Sequence, residues 1–150
     1  MLHLVERNRD AYLPLLLLAD PSEAMVRRYL SEGELYAWRS EEEETIGVLH
    51  LLESEPGQIE IKNMAVREGY QNQGHGKQLL QAVLRMLQER EVREVVVRTG
   101  NSSIGNLAFY QKQGFRMSGI EFDYFTRTYE DAIVEHGIPC RDQIIFKRPL

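Results

Sequence analysis

The sequence predicts a mixed-sheet α/β (α+β) fold, in which strands and helices alternate around one core. Three observations predict it. The chain has 150 residues, of which 43% are hydrophobic, enough for one well-packed core and short for two. Helical and strand-like hydrophobic patterns alternate along the chain. No internal repeat or Pro/Gly-rich linker interrupts them, so we expect a single domain over residues 1–150.

The N-terminal part predicts one strand and two helices. The strand is LHLVE, residues 2–6, and helical patterns follow at residues 13–18 and 22–30. Pro14 fits the first turn of the first helix, and Pro21-Ser22-Glu23 is a stop-and-cap signal for the second. The apolar run at residues 11–19 is too short to cross a bilayer and lacks a positively charged leader. We therefore expect a buried helix there.

Three strand patterns then predict a meander. They are ELYAWRS, TIGVLHLLES and GQIEIKNMAV, at residues 34–40, 45–54 and 57–66. Four glutamates at residues 41–44 predict a solvated hairpin tip. The turn signal Glu55-Pro56-Gly57 separates the second and third strands.

The second half predicts a helix, then alternating strands and a further helix. Apolar residues recur at helical spacing from Gly76 to Leu87, and EVVVRTG at residues 94–100 is typical of a buried strand. SIGNLAFYQKQGF predicts a short helix closed by Gly114. A strand pattern over residues 115–125 precedes a last strand at residues 141–149.

Composition argues against several classes of function. The net charge of −5 disfavours binding to nucleic acid or to an anionic membrane. Cys140 is the single cysteine, so no internal disulfide or thiolate metal site can form, and a reducing, cytoplasmic location is expected. His75 has no second histidine at metal-ligand spacing, so we expect no metal.

The stretch QNQGHGKQLL, residues 71–80, places two glycines at the start of a helix. The first backbone N–H groups of a helix have no internal partners and favour an anion, and glycine lets a phosphate approach. An ordinary glycine turn explains the stretch equally well. The spacing does not fit a P-loop, because Gly76-Lys77 is followed by Gln78. It does not fit a dinucleotide fingerprint either, because Leu79 stands where a third small residue is needed.

Two motifs together resemble the GNAT superfamily of N-acetyltransferases. NMAVREGYQNQGHGKQLL, residues 63–80, is similar to its acetyl-CoA signature, and NLAFYQKQGF, residues 106–115, is similar to its second signature. The resemblance covers nearly the whole chain. It implies a GNAT-like fold, with a mixed, mostly antiparallel central sheet of about six or seven strands flanked by helices and with two central strands splayed apart. It also implies acetyl-CoA as co-substrate without a metal, and a cytoplasmic enzyme that can form a homodimer.

The resemblance also implies which residues bind the coenzyme. Backbone groups of the strand that ends at Val66 would bind the pantetheine arm, and the glycine loop would hold the pyrophosphate. The matching positions are Met64, Ala65, Val66, Gln71, Gln73, Gly74, His75, Gly76 and Lys77. One asparagine, either Asn101 or Asn106, would add a contact, and the spacing does not decide between them.

By the same resemblance, the amine attacks acetyl-CoA directly in a ternary complex. Tyr110 matches the general acid that protonates the leaving thiolate, and Glu60 matches a carboxylate that serves some members as general base. Glu60 is equally compatible with an exposed pair with Lys62, and His50 and Glu53 are rival bases. A backbone N–H around residues 64–66 would stabilise the oxyanion.

The acceptor amine is not legible from the sequence. The acceptor site is expected to form from the early helices and residues 120–130. The aromatic residues of that segment, with Tyr36 and Trp38, could shape an apolar slot, and Glu121 and Asp123 could attract a cationic amine. All of them are equally compatible with ordinary sheet positions. A small-molecule or peptide amine is expected. The alternatives are a protein N-terminal acetyltransferase and a non-catalytic acyl-CoA-binding regulatory module.

Overall fold

The computed structural model describes every residue from Met1 to Leu150. The chain divides into two compact units, Met1–Arg93 with Leu150 and Glu94–Pro149. We describe each unit by itself. The single-domain organisation stays a prediction.

The first unit contains an antiparallel four-stranded meander in which each strand pairs with the next along the chain. The strands are β1 (Leu2–Leu4), β2 (Glu34–Arg39), β3 (Thr45–Glu55) and β4 (Gln58–Val66). All three predicted hairpin strands are therefore present, and the four glutamates between β2 and β3 are exposed as expected.

Helices complete the first unit: a 3₁₀ turn (Arg9–Tyr12), α1 (Leu13–Ala19), α2 (Glu23–Tyr29) and α3 (His75–Glu89). Pro14 lies in the first turn of α1, where its missing N–H costs nothing. The Ser22 hydroxyl oxygen accepts from the Met25 amide at 3.2 Å and caps α2, as the sequence predicts.

The core of the first unit forms where α1 and α2 pack on the sheet. Val48 and Ala65, which face each other across β3 and β4, belong to this cluster. The predicted apolar stripe of α3 is also buried, at Leu79, Leu80, Val83, Leu84 and Leu87. A Cβ on Gly47 would lie 2.8 Å from the Ala65 carbonyl oxygen, so only glycine permits this approach of the strands.

Arg9 holds the turn that joins α2 to β2. Its guanidinium donates to the carbonyl oxygens of Leu30, Glu32 and Gly33, each at 2.8 Å. Gly33 has a φ of 60°, and a Cβ there would lie 2.0 Å from the Leu51 carbonyl oxygen. No other residue fits this position without moving β3.

A bulge interrupts the pairing of β3 with β4. His50 pairs with Asn63 and Leu51 with Ile61, which leaves Lys62 without a partner. Tyr29 of α2 packs over this point: its ring centre lies 5.1 Å from that of His50 and 5.5 Å from Lys62 Nζ. The bulge thus carries a polar cluster beneath α2.

The second unit has a three-stranded antiparallel sheet in which β9 (Gln143–Pro149) lies between β5 (Glu94–Gly100) and β6 (Arg116–Glu121). Its remaining elements are α4 (Ile104–Lys112), α5 (Tyr124–Thr128) and a small hairpin of β7 (Val134–Glu135) with β8 (Ile138–Pro139). Gly114 follows α4 with a φ of 88°, which agrees with its predicted role in ending the helix.

The strand predicted over residues 115–125 is too long. β6 ends at Glu121, and Asp123 adopts a left-handed conformation with a φ of 61° that begins α5. The Asp142 carboxylate accepts from the Asp123 amide at 2.8 Å, and the Phe125 amide donates to the Arg141 carbonyl oxygen at 3.0 Å. These distant contacts override the local alternation of apolar and polar residues.

The predicted fold class is confirmed: the main sheets of the two units have four and three strands, all pairs inside each unit are antiparallel, and helices flank the strands. The splaying of two central strands stays a prediction. No helix combines the length and the apolar character needed to cross a membrane.

We predict that His50 makes the protein sensitive to mild acid. The side chain is fully buried, its Nε2–H donates to the Glu32 carbonyl oxygen at 2.7 Å, and burial lowers its pKa from 6.5 to about 4. The neutral ring therefore stabilises the fold fully above pH 6.5, and this contribution is lost as the pH falls toward 4. A pKa difference of this size corresponds to about 3 kcal/mol.

Urea unfolding at pH 7 and at pH 4.5 measures this contribution. His50→Gln, whose amide can still donate to Glu32, should lose less free energy of unfolding between the two pH values than the wild type. His136→Asn removes an exposed histidine and is the matched control. Equal losses in His50→Gln and wild type would show that His50 does not cause the acid sensitivity.

Candidate functional site

The glycine loop connects β4 to α3 through residues 67–74. The side-chain amide of Gln71 donates to the Val66 carbonyl oxygen and that of Gln73 to the Gly69 carbonyl oxygen, both at 2.9 Å. The Tyr70 amide donates to the Arg67 carbonyl oxygen at 3.0 Å. The side chains of Gln71 and Gln73 therefore stabilise the loop by binding its own carbonyl groups.

The second half of this loop and the first turn of α3 offer a set of free backbone donors. None of the amides from Gln71 to Lys77 donates to an oxygen of the protein, and they surround the N-terminus of the 15-residue helix α3. Gly74 precedes α3 with a φ of 87°, and no atom lies within 4 Å of a Cβ built there. Gly76 is the second residue of α3, and the Lys77 side chain is exposed beside it. Unpaired donors, open space and a nearby cation form a cradle for an anion.

Contacts outside the signature position the loop. The Tyr70 hydroxyl donates to a Glu44 carboxylate oxygen at 2.8 Å, and Arg67 Nε donates to the Thr45 carbonyl oxygen at 2.8 Å. The Tyr70 ring also meets the His75 ring edge-on, with centres 5.6 Å apart. The sequence motifs did not identify Tyr70 as a site residue. The one feature that indicates it is its position as an aromatic residue directly before the glycine motif.

The three predicted residues at the end of β4 lie just before the loop. Met64 and Val66 are half-buried, whereas Ala65 is buried in the core under α1 and α2. All three pair with β3, opposite Leu49, Val48 and Gly47 respectively.

The three candidate bases differ in exposure. Glu60 is half-buried on β4 opposite Leu52, and Glu53 is exposed near the end of β3. His50 is buried completely, and its Nε2 is occupied by the Glu32 carbonyl oxygen. The exposure of Glu60 is thus intermediate between that of Glu53 and that of His50.

Tyr110 lies on α4 within an aromatic cluster. Its ring centre is 5.2 Å from that of Phe109, 5.6 Å from Phe115 and 6.1 Å from Phe146. The residue is 5% exposed, and burial raises the pKa of its hydroxyl. No hydrogen bond to another residue occupies the hydroxyl. The group is therefore a protonated and uncommitted donor at neutral pH.

The structure gives the two predicted asparagines different surroundings. Asn101 Oδ1 accepts from the amides of Arg141 and Asp142 at 2.8 and 2.9 Å, and its Nδ2 donates to the Pro139 carbonyl oxygen at 3.1 Å. Asn106 is exposed on α4 and makes one long contact, 3.4 Å from Nδ2 to Thr99 Oγ1. Asn101 is thus committed to the loop before β9, whereas Asn106 is nearly free.

The acidic residues predicted to attract an amine are paired with arginines. Glu121 lies 3.2 Å from Arg127 Nη2, and Asp123 is bound by Arg141 Nε. In the first unit, the Tyr36 hydroxyl donates to Glu34, which in turn binds Arg90 at the end of α3. Tyr36 therefore lies at the opposite end of α3 from the glycine loop.

No cluster of three or more His, Cys, Asp or Glu side chains is arranged to hold a metal ion. Cys140 is buried, and that burial raises the pKa of its thiol. Such a thiol is poorly suited to act as a nucleophile.

A cleft of about 530 Å³ adjoins the start of the glycine loop. Its volume lies within the usual range for small-molecule pockets. Tyr12, Leu15 and Leu18 form an apolar wall, and Thr45, Arg67 and Glu68 line the polar side.

Comparison with known proteins identifies the family of this chain. Residues 5–115 match the model of the "Acetyltransferase (GNAT) family". The chain is also 43% identical over 144 residues to the "Uncharacterized N-acetyltransferase YvbK" of Bacillus subtilis (strain 168). That alignment covers 95% of this chain and 92% of the relative.

Two solved structures have the same fold over the entire chain. "IAA acetyltransferase from Bacillus cereus ATCC 14579" has a TM-score of 0.90 at 41% identity, with 100% of both chains covered. A GNAT family acetyltransferase from Elizabethkingia anophelis, solved with acetyl-CoA bound, has a TM-score of 0.94 at 40% identity. It covers 100% of this chain and 97% of its own. The chain therefore belongs to the GNAT family of acetyltransferases.

Proposed function

We propose that this protein transfers the acetyl group of acetyl-CoA to the primary amine of a small molecule. The observation that carries the proposal is the row of unpaired amides from Gln71 to Lys77 at the start of α3. In a GNAT acetyltransferase, such a cradle suits the pyrophosphate of the coenzyme. The related Elizabethkingia anophelis structure contains acetyl-CoA, which supports the same co-substrate here.

The cradle residues have distinct proposed roles. The backbone amides bind the pyrophosphate, and Lys77 adds a positive charge. Gln71 and Gln73 act indirectly, because their side chains already hold the loop carbonyl groups. His75 contributes its amide, while its ring packs on Tyr70.

The pantetheine arm is assigned to the backbone of Met64, Ala65 and Val66, as the family resemblance implies. Of the two asparagines, we favour Asn106 as a coenzyme contact. Its side-chain amide is exposed with one long contact, whereas all the hydrogen bonds of the Asn101 side chain go to the loop before β9.

The reaction needs a base, an oxyanion donor and an acid. Glu60 accepts a proton from the ammonium group directly or through water, and the neutral amine nitrogen then forms a bond to the thioester carbon. A backbone N–H in the range 64–66 stabilises the oxygen as it gains charge. The carbon–sulfur bond breaks, Tyr110 donates its proton to the leaving thiolate, and the proton that the acylated nitrogen loses restores the Tyr110 hydroxyl. No acyl-enzyme forms, so the buried Cys140 has no part in the reaction.

The surroundings of Tyr110 support its role as the acid. Burial raises the pKa of the phenol, so the proton is present at neutral pH. The hydroxyl has no competing partner within the protein, whereas a tyrosine with only a packing role commonly gains one when buried. No existing hydrogen bond therefore has to break before the Tyr110 proton moves to the thiolate.

The cleft beside the glycine loop supports a small acceptor. Its apolar wall at Tyr12, Leu15 and Leu18 suits a hydrocarbon or aromatic body. Glu121 and Asp123 are weak candidates for attracting the amine, because arginines already neutralise them. An apolar primary amine is thus the favoured acceptor class.

An assay that follows release of the coenzyme A thiol tests this function. The acceptor panel should contain apolar primary amines, polyamines, and short peptides with free N-termini. Turnover with apolar amines above that with peptides is expected. Turnover with peptides alone would replace the proposal with a peptide N-terminal acetyltransferase. Coenzyme A binding without any turnover would point to a regulatory module.

We predict that Gly76→Val weakens binding of coenzyme A while the protein stays folded. A branched side chain at the second residue of α3 obstructs the anion, whereas valine is no worse than glycine for the helix. Calorimetric titration with coenzyme A should give a dissociation constant raised by roughly tenfold or more, a loss of about 1.4 kcal/mol.

Gln78→Val is the matched control, because it places the same side chain at an exposed position of the same helix, after the cradle. It should bind coenzyme A like the wild type. If Gly76→Val also binds normally, the loop is only a turn and the assigned cradle is wrong.

We predict that Tyr110→Phe lowers the rate of acetyl transfer far more than the affinity for acetyl-CoA. The ring keeps its aromatic contacts, but the proton donor is gone. General acid catalysis contributes on the order of 10²–10⁴-fold, and thiolate is a good leaving group, so the low end of this range is expected. Single-turnover kinetics avoids masking by slow product release.

Phe115→Leu serves as the packing control, since it disturbs the ring beside Tyr110 and keeps the hydroxyl. Its single-turnover rate should stay within a few-fold of the wild type. A Tyr110→Phe variant with wild-type rates from about pH 6 to about pH 9 would restrict Tyr110 to a packing role.

A further inference from the structure

Exposed apolar side chains concentrate along one strand of the second unit. Met117 and Ile120 of β6 are 54% and 51% exposed, and Phe122, directly after the strand, is 67% exposed. The proposed acetyl transfer does not use any of them. Large apolar side chains grouped in this way mark surfaces that bind a protein partner.

The outer edge of β6 is also unpaired. β6 pairs with β9 and with no other strand, so alternate backbone groups along its far side lack strand partners. Its one irregularity is a bulge at Ser118, between the pairs Met117–Phe146 and Gly119–Ile145. The Ser118 hydroxyl donates to the Ile145 carbonyl oxygen at 3.2 Å, so this side chain turns toward β9. Charged residues and bulges normally protect such edges from pairing, and β6 has both, so a partner strand must match its charges as well as its apolar side chains.

The bulge sorts the side chains of β6 onto two faces. Residues that pair across antiparallel strands share a face, so Met117 and Ile120 lie on the face of their partners Phe146 and Ile144. Arg116, Gly119 and Glu121 lie on the other face. In a regular strand, Met117 and Ile120 are three residues apart and would lie on opposite faces, so the bulge at Ser118 is what brings them to the same face.

The charged side chains on one face of β6 are poorly neutralised by other residues of the chain. Arg116 is paired across the sheet with Lys147, a like charge, and Lys147 itself lies 3.9 Å from Glu94. Arg116 forms no ion pair of its own. Glu121, at the other end of the strand, contacts only the exposed Arg127. The strand therefore presents a cation at one end and an anion at the other.

We propose that two copies of this chain pair through their β6 edges in an antiparallel, two-fold symmetric dimer. In this register, Arg116 of each copy faces Glu121 of the other, and Met117 faces Ile120. Ser118 of each copy stays outside this pairing, as it does opposite β9, so Gly119 meets Gly119 at the symmetry axis. The contact is isologous, since the same strand supplies both halves of each charged and apolar pair.

The dimer would remove the two unfavourable features of β6 together. Each Arg116 gains a carboxylate across the axis, and the apolar side chains cover one another on the opposite face. The free backbone groups of the two edges satisfy each other as in any antiparallel sheet. A different protein could also use the apolar face, but only a second copy matches both the charges and the side-chain order of the strand.

Analytical ultracentrifugation of the whole chain tests the proposal. From about 1 to about 200 μM protein, the wild type should change from its 17.5 kDa monomer toward twice that mass. Ile120→Glu should raise the dimer dissociation constant roughly tenfold or more, because it faces Met117 of the other copy. Ile104→Glu replaces a similarly exposed isoleucine on α4 and is the matched control, expected to dimerise normally.

A charge exchange tests the register itself. Arg116→Glu places a carboxylate opposite Glu121 of the other copy and should weaken the dimer, and Arg116→Glu with Glu121→Arg should restore it. Arg127→Gln alone controls for loss of the internal contact of Glu121 and should leave the dimer intact. A wild type that stays monomeric would overturn the proposal, as would a dimer unaffected by Ile120→Glu. Failure of the double variant to restore association would refute the Arg116–Glu121 register. Coenzyme binding in each variant confirms folding separately.

Discussion

The antiparallel pairing of β3 with β4 is the interaction on which the rest of the first unit depends. One face of this pair, at Val48 and Ala65, receives α1 and α2. On the other face, glycine at position 47 lets the two strands approach, because a Cβ there would collide with the Ala65 carbonyl oxygen, and Leu79 of α3 packs over this point. The same pairing fixes where β4 stops, and so where the glycine loop begins. Core packing and the placement of the cradle are therefore consequences of a single register.

The bulge between β3 and β4 ties the strand to the early helices and lies directly before the proposed coenzyme-binding residues. It places Asn63 so that its Nδ2 donates to the Leu16 carbonyl oxygen at 3.0 Å and to the Tyr29 hydroxyl at 2.8 Å, which ties β4 to both early helices. Two acceptors remain without partners in the interior, His50 Nδ1 and Asn63 Oδ1. Buried polar atoms of this kind cost free energy, so the cluster is a point of vulnerability. It lies one residue before Met64, where the proposed coenzyme strand begins.

The two proposed ligand-contacting regions, the glycine loop and α4, leave different groups free to bind a ligand. In the glycine loop the side chains are committed to the protein and the backbone amides are free. On α4 the backbone is committed to the helix, and the side-chain groups of Tyr110 and Asn106 are available. An anion such as pyrophosphate is best bound by many fixed amide dipoles, whereas proton transfer needs one movable hydrogen. Each region thus offers the type of group that its proposed task needs.

The sequence by itself determined the features that depend on neighbours within a few residues. The periodicity of α3, the Ser22 cap and the spacing of Gly74 and Gly76 are of this kind, and together they predicted most elements and the family. Only the tertiary structure decided the rest: the burial of His50, the commitment of Asn101 to the loop before β9, and the end of β6 at Glu121. These depend on Glu32, Asp142 and Arg141, which lie far away along the chain. Local patterns report the preference of a segment, but hydrogen bonds to distant residues determine which polar groups remain free to bind a ligand.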